Sequence, residues 1–261
     1  MANSITNIKS ETSGLPARGL PIFTIGMLVA IVGIHAYVSA LPEKQLATIY
    51  FDYALIPGRF TELHDYSPAG LLTFLTHALL HANWAHVLAN SYALLLFGLL
   101  SERFLGTARV ILVYLASAIA GGLAFMALEP QAFVPLVGAS GAISGLFGAA
   151  IVSAPPASRK SLATNAVIWL FLNVGMPALG SIGAGPRIAW EAHLGGFVVG
   201  LVMGWILRAG LPRMVVTNAS GTTTGHIVGA TTKPTTPMAG SSPASKAGAK
   251  KPEPFNPVQR R

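Results

Sequence analysis

The segment from Gly138 to Gly148 reads GASGAISGLFG and places serine hydroxyls among glycines in an apolar part of the chain. Because Ser140 is followed directly by Gly and has another Gly two residues before it, a second helix backbone can approach closely here. A serine nucleophile and a base on two different helices need such an approach. Taken alone, the segment favours ordinary helix packing over catalysis, because Gly and Ser also line packing seams between membrane helices.

The composition is that of a polytopic membrane protein. Hydrophobic residues make up 52% of the 261 residues and charged residues only 10%, whereas soluble domains carry about 25% charged residues. The net charge of +8 does not indicate nucleic-acid binding, because the basic residues form no patch with stacking aromatics. The absence of Cys excludes disulfides, thiolate metal ligands and a cysteine nucleophile.

Six apolar runs predict six transmembrane helices and an all-α membrane domain over residues 20–210. The first run, from Leu20 to Leu41, is long enough to span a bilayer, which takes about 20 residues. It is also longer than the apolar core of a signal peptide, so we expect an uncleaved helix. The other five runs are Trp84–Leu100, Ala108–Leu128, Leu136–Ala154, Ala163–Gly180 and Ile188–Leu207.

Three segments lie outside these runs. Residues 1–19 are polar and predict a flexible cytoplasmic lead. Residues 211–261 are basic and rich in Pro, Thr, Ser and Gly, a composition that predicts a disordered cytoplasmic tail. Residues 42–73 form a long predicted loop that mixes acidic and aromatic residues. This loop could lie in the membrane interface or be solvated, and the sequence leaves both readings open.

The distribution of basic residues predicts the orientation of the chain. Fourteen of the 17 Lys and Arg residues fall on one side of the predicted helices, and three, Lys44, Arg59 and Arg187, fall on the other. Because basic residues accumulate in cytoplasmic loops, both termini are expected in the cytoplasm. Ser140 then lies near the outer end of the fourth helix, within reach of water from outside.

The ionisable residues exclude several intramembrane chemistries. No Asp lies within a predicted span, which argues against an intramembrane aspartyl protease and against an acidic proton relay. The chain also lacks a His-Glu-x-x-His motif, which argues against a zinc intramembrane protease. The remaining candidates for membrane chemistry are histidines.

Histidines cluster at the start of the second predicted helix. Asn90 follows His86 by four residues, which puts the two side chains on one helical face. His81 and His86 could hold a metal ion, although no carboxylate or Cys completes such a site. Asn90 taken alone is more typical of hydrogen bonding between helices than of an oxyanion donor.

His193 lies in the sixth predicted helix, before glycines that repeat every four residues. Gly196, Gly200 and Gly204 form a flat stripe suited to close packing. This stripe can bring His193 against the glycine-rich face of the fourth helix, so a contact between Ser140 and His193 is geometrically reasonable. A nucleophile, a base and polar donors are then present together.

Five motifs in this order resemble the signature of the rhomboid intramembrane serine proteases. The resemblance spans residues from about 20 to 210. The motifs are THALLH at 76–81, His86 with Asn90, ERFLG at 102–106, GASG at 138–141 and AHLGG at 192–196.

The resemblance implies a six-transmembrane-helix rhomboid-like bundle with a Ser-His dyad and no acid. Ser140 is then the nucleophile and His193 its general base. His86 and Asn90, with the backbone amide of Ser140, are expected to stabilise the oxyanion. We expect no cofactor and no metal ion.

The remaining motif residues are expected to be structural. His81 is expected to shape the first loop, and Glu102 and Arg103 to brace the second helix. Gly138 is expected to open the backbone beside the nucleophile, and Gly196 and Gly200 to allow close packing. Gly141 is a further structural residue of the motif at the nucleophile.

The sequence departs from the family pattern at two places. Family members often carry an aromatic residue four positions after the nucleophile, stacked on the base, and here that position is Ser144. Some bacterial members also carry Trp-Arg shortly before the Thr-His pair, and this chain does not. Stacking on the base and gating by the first loop are therefore expected to differ.

We expect an intramembrane serine protease of the bacterial inner membrane that cleaves transmembrane segments of other membrane proteins. Its partners are then such segments and the lipid bilayer, without nucleic acid. A rival reading is a non-proteolytic rhomboid-fold protein that binds transmembrane clients, although such relatives usually lack the Ser or the His. A small transporter or channel is a further rival, but the sequence shows no internal repeat.

Overall fold

The computed structural model describes residues 20–175 and 188–208. Almost all of these residues are helical. The helices are α1 (Ile22–Ser39), α2 (Glu43–Tyr53), α3 (Pro57–Thr61), α4 (Pro68–Thr76), α5 (Trp84–Leu105), α6 (Thr107–Leu128), α7 (Ser140–Ser153), α8 (Pro156–Leu170) and α9 (Trp190–Leu207). A 3₁₀ turn, His77–Leu79, follows α4, and a π-helical turn, Phe171–Gly175, continues α8. The predicted cytoplasmic lead and tail lie outside the described residues.

Six of these helices correspond to the six predicted runs. Helices α1, α5, α6 and α9 are long and apolar enough to span a membrane. Helices α7 and α8 have only 14 and 15 residues. Helix α7 can be short because residues Gly141–Ala150 are all buried, so neighbouring helices rather than lipid surround it. The fold is therefore a six-helix, all-α membrane bundle.

The predicted start of the fourth helix at Leu136 is wrong, because α7 begins at Ser140. Leu136 is extended and exchanges backbone hydrogen bonds with Leu55. Gly138 has a φ of 119°, a conformation that no helix contains. The fifth helix also begins earlier than predicted, at Pro156 instead of Ala163. Its predicted end at Gly180 lies outside the described residues.

Close contacts between glycines hold α7 against α9. A Cβ atom added to Gly196 would lie 2.0 Å from the carbonyl oxygen of Gly141, and one added to Gly200 would lie 2.0 Å from that of Gly145. No side chain fits at either distance. The glycine stripe thus lets the two backbones touch, as small residues do between membrane helices.

The segment between α1 and α5 is folded, and the prediction of a loop there is wrong. It contains helices α2, α3 and α4. The guanidinium of Arg59, which is buried, lies over the Phe51 ring with a distance of 4.4 Å to its centroid. It also donates hydrogen bonds to the Phe51 carbonyl and the Asp65 carboxylate. This folded segment packs against the chain that leads into α7, where the Gly58 N–H donates to the Ala132 carbonyl (2.9 Å).

Glu102 connects three helices at the other end of α5. Its carboxylate accepts hydrogen bonds from the backbone N–H groups of Phe23 (3.2 Å) and Thr24 (3.0 Å). These are orphan donors in the first turn of α1. It also accepts from the Thr107 hydroxyl (2.8 Å) at the start of α6. Arg103, by contrast, is exposed.

Candidate active site

Ser140 is the first residue of α7 and is half-buried. The first N–H groups of a helix have no acceptor within it and carry the positive end of the helix dipole. The chain that enters the helix is fixed, because the Gly138 N–H donates to the His77 carbonyl (2.9 Å). The Ser140 hydroxyl therefore stands beside backbone donors that point away from α7.

The side chains of Ser140 and His193 are in hydrogen-bond contact. The Nε2 atom of His193 lies 2.8 Å from the Ser140 Oγ, and its Nδ1 lies 2.9 Å from the Asn173 carbonyl oxygen. A carbonyl oxygen can only accept, so Nδ1 carries the ring proton. In the neutral imidazole, Nε2 is then the acceptor and the Ser140 hydroxyl is the donor. This is the protonation state in which a histidine can remove a serine proton.

His86 lies beside the nucleophile. A Cβ atom added to Gly138 would be 2.8 Å from both Cε1 and Nε2 of His86, so one edge of the ring packs directly on the Gly138 backbone. His86 is in the first turn of α5, where its N–H donates to the side chain of Asn83, the N-cap residue (2.9 Å). The imidazole can therefore offer an N–H to an atom bound at Ser140.

Asn90 is buried one turn below His86. Its Nδ2 donates to the His86 carbonyl (3.0 Å), so the amide bonds within α5. In the described part of the chain, no hydrogen bond joins Asn90 to Ser140 or His193. Its Oδ1 atom is buried without a hydrogen-bond partner. The Asn90 side chain is thus held beneath His86 by a hydrogen bond within α5.

Comparison with known proteins identifies the family of the chain. Residues 68–210 match the family model described as Rhomboid domain. The chain belongs to the rhomboid family. With its apolar helices, this membership makes it an integral membrane protein.

Three relatives show how far the similarity reaches. The chain is similar to the Rhomboid protease GluP of Bacillus subtilis, with 33% identity over 53% of this chain and 26% of that protein. It is also similar to two Arabidopsis thaliana proteins. RHOMBOID-like protein 5 is 31% identical over 49% of this chain and 41% of its own length. RHOMBOID-like protein 6, mitochondrial, is 34% identical over 51% of this chain and 42% of its own length. The matches thus span less than half of each relative.

The position where many rhomboid proteins carry an aromatic residue is buried and polar here. The Ser144 hydroxyl donates to the Ser140 carbonyl at 2.5 Å, one turn back in α7. A different ring lies beside the base instead. Trp169 of α8 has its centroid 6.3 Å from that of His193, at an interplanar angle of 46°. The indole in turn stacks on Phe197 of α9, with 5.8 Å between centroids.

His81 packs behind this rhomboid site. Its ring centroid lies 5.1 Å from that of His86 and 6.5 Å from that of His35. The Tyr50 hydroxyl donates to the His81 carbonyl (2.8 Å), which ties α2 to this turn. Burial, and secondarily the charges of His86 and His35, lowers the pKa of His81 to about 3. Among the described residues, no three His, Cys, Asp or Glu side chains are arranged to hold a metal ion.

Sequence reasoning missed Trp169 and Asn173. Both contact His193 from α8 and the turn that continues it, and they are four residues apart. This spacing puts them on one helical face. An aromatic and an amide at that spacing in an apolar run were the available signal.

Proposed function

We propose that the chain is an intramembrane serine protease that hydrolyses peptide bonds in or near transmembrane segments of other membrane proteins. Ser140 is the nucleophile and His193 the general base. The observation that supports this proposal is the 2.8 Å contact between the Ser140 Oγ and the His193 Nε2. The ring is held in the tautomer that accepts a proton by the carbonyl of Asn173. Nucleophilic catalysis requires this pairing of a hydroxyl with a neutral base.

The reaction follows the order of acyl transfer. His193 Nε2 takes the Ser140 proton as Oγ attacks the substrate carbonyl carbon, and the carbonyl oxygen becomes an oxyanion. The protonated His193 then gives its proton to the leaving amine as the peptide bond breaks. Water, deprotonated by the same nitrogen, attacks the acyl-enzyme and releases the acid and the Ser140 hydroxyl.

Donors near Ser140 stabilise the oxyanion. The Ser140 N–H begins α7 and has no acceptor inside the helix. The His86 ring lies against Gly138, two residues before Ser140. Asn90 supports the His86 turn through its hydrogen bond to the His86 carbonyl. Preorganised donors of this kind contribute on the order of 10²–10³ in rate each.

Substrates should have a locally unstable helix with small residues at the cleaved bond. A peptide bond inside a regular helix is shielded by its own hydrogen bonds, and Gly weakens a helix. The distribution of basic residues supports cytoplasmic termini, and a bacterial inner membrane suits this orientation. Ser140 then faces the outer half of the membrane and receives water from that side.

The test is cleavage of a transmembrane substrate by the purified full chain in liposomes. Ser140→Ala and His193→Ala should abolish both cleavage and labelling by a fluorophosphonate probe, with thermal stability close to wild type. Ser144→Ala is the matched control in the same helix and should retain both. Cleavage that persists in Ser140→Ala but not in Ser144→Ala would show that the nucleophile is wrongly assigned. Wild-type protein that binds transmembrane segments but neither cleaves nor labels would instead support a client-binding protein.

A further inference from the structure

We infer that the main-chain carbonyl of Asn173 is the positioning group for His193, so that the π-helical turn after α8 supplies the third member of the site. This inference rests on the proposed protease function. In a Ser-His-Asp triad, the third group accepts from Nδ1–H and fixes the orientation and tautomer of the imidazole. Here the Asn173 carbonyl oxygen, 2.9 Å from Nδ1, takes that place. A neutral carbonyl fixes the tautomer without burying another charge in the membrane.

The backbone around Asn173 is specialised for this contact. Residues Phe171–Gly175 form a π-helical turn after a regular α8. The change from α to π hydrogen bonding alters the register of the backbone carbonyls, and such turns are frequent at functional sites. The Asn173 side chain braces the turn, because its Nδ2 donates to the Trp169 carbonyl (3.0 Å).

The last turn of α8, directly before the π-helical turn, also presents a ring to the base. The main-chain carbonyl of Trp169 accepts the hydrogen bond from the Asn173 side chain. The centroid of the Trp169 indole lies 6.3 Å from that of the His193 ring. Two residues one helical turn apart therefore contact the imidazole, Trp169 with its ring and Asn173 through the Nδ1 atom. His193 itself is almost fully buried, so water does not readily replace a lost partner at Nδ1.

The direct test weakens the carbonyl and leaves every side chain in place. Val174→α-hydroxyvaline, introduced by nonsense suppression, converts the bond between residues 173 and 174 into an ester, whose carbonyl accepts hydrogen bonds less well. We expect kcat to fall about tenfold at unchanged KM, with an equal fall in the rate of fluorophosphonate labelling. The matched control is lactic acid at Ala166, which makes the same change at the carbonyl of Asn165 in α8.

Side-chain variants provide a second test. Asn173→Ala removes the bond to the Trp169 carbonyl and should lower kcat severalfold, and Asn173→Asp, which keeps an oxygen but no donor, should not restore it. Asn165→Ala removes the same side chain from an exposed position of α8 and should leave kcat unchanged. In ¹⁵N-histidine spectra, the His193 signal, identified by its loss in His193→Gln, should show a protonated Nδ1 in wild type and a tautomer mixture in the ester variant.

The outcomes separate the inference from the proposed function. Unchanged kcat, labelling and His193 tautomer in both the ester variant and Asn173→Ala would overturn the inference, even with an inactive Ser140→Ala. Equal losses in the Ala166 and Asn165 controls would overturn it as well, because the effect would then belong to α8 as a whole. Labelling that survives in Ser140→Ala would instead refute the protease proposal itself.

Discussion

Gly196 of α9 faces the Gly141 carbonyl so closely that a Cβ atom on Gly196 would lie 2.0 Å from that oxygen. Gly141 directly follows Ser140, and Gly196 lies three residues after His193. The contact between the two backbones is therefore what holds the hydroxyl and the imidazole 2.8 Å apart. Packing and the proposed chemistry depend on the same glycines.

The first prediction follows from this contact. Gly196→Val should push α9 away from α7, lower stability by at least about 1–3 kcal/mol and abolish fluorophosphonate labelling even in the folded fraction. Thermal unfolding and labelling of the purified protein measure the two effects. Gly26→Val on α1, where an added Cβ meets nothing within 4 Å, is the control and should keep both near wild type. Full labelling in folded Gly196→Val would show that the close contact does not set the dyad.

The second prediction concerns Trp169. Trp169→Ala removes the ring beside His193 and should lower kcat about three- to tenfold, the range expected for one aromatic contact. Trp169→Phe keeps a ring and should retain more of the activity. Substrate cleavage measured as kcat and KM separately checks this, with Trp205→Ala, on an exposed face of α9, as the control. Equal activity in Trp169→Ala and Trp169→Phe would remove any role for the ring.

The third prediction concerns Glu102. Glu102→Gln weakens acceptance from the Phe23 and Thr24 backbone and should destabilise the bundle by about 1–3 kcal/mol, as expected for hydrogen bonds to a charged group. The turnover of the folded protein should stay near wild type, because Glu102 is roughly 24 Å along α5 from His86 at about 1.5 Å per residue. Thermal unfolding measures the loss of stability, and kcat per fluorophosphonate-labelled molecule measures the turnover of the folded protein. The neighbouring exposed Arg103→Gln should be nearly neutral, and equal losses in both would contradict a bracing role specific to Glu102.

The sequence predicts the parts of this site that depend on side-chain type and spacing. The hydroxyl of Ser140, the imidazole of His193 and the four-residue glycine repeat can be read directly from the sequence. Helical periodicity puts the glycines of the repeat on one face, which allows the helix of His193 to approach that of Ser140. The contact of Asn173 is different, because every residue has a main-chain carbonyl. Only the π-helical turn directs the carbonyl of Asn173 toward His193. A single sequence carries no such signal about backbone register.

The helices between α1 and α5 were missed for another reason. Helix α4 carries an ordinary start signal, with Ser67 as the N-cap residue and Pro68 as the first helical residue. The segment is stabilised by long-range contacts, including those of the buried Arg59 and the pairing of Leu55 with Leu136. The same pairing, with Gly138 at positive φ, delays the start of α7 to Ser140. Apolar run length alone cannot report either effect.

The fourth prediction concerns the pH dependence of stability. Burial lowers the pKa of His81 to about 3 in the folded protein, while an unfolded histidine titrates near 6.5. Between these values the unfolded state binds a proton that the folded state does not, so stability falls as the pH drops below about 6.5. Each such histidine contributes up to about 1.4 kcal/mol per pH unit. Burial also lowers the pKa of His77, to about 4, so both residues contribute.

His81→Asn tests this dependence. The variant should be less stable than wild type at pH 7.5, because the ring contacts with His86 and His35 are lost. It should nevertheless lose less stability between pH 6.5 and 4.5, because one buried histidine no longer contributes to the slope while His77 still does. Unfolding in detergent followed by circular dichroism across this range gives the slopes. His64→Asn, on an exposed side chain at positive φ that Asn tolerates, should follow the wild-type curve. An undiminished slope in His81→Asn would mean that His81 is accessible to protons in the folded bundle, which its burial against α1 and α5 argues against.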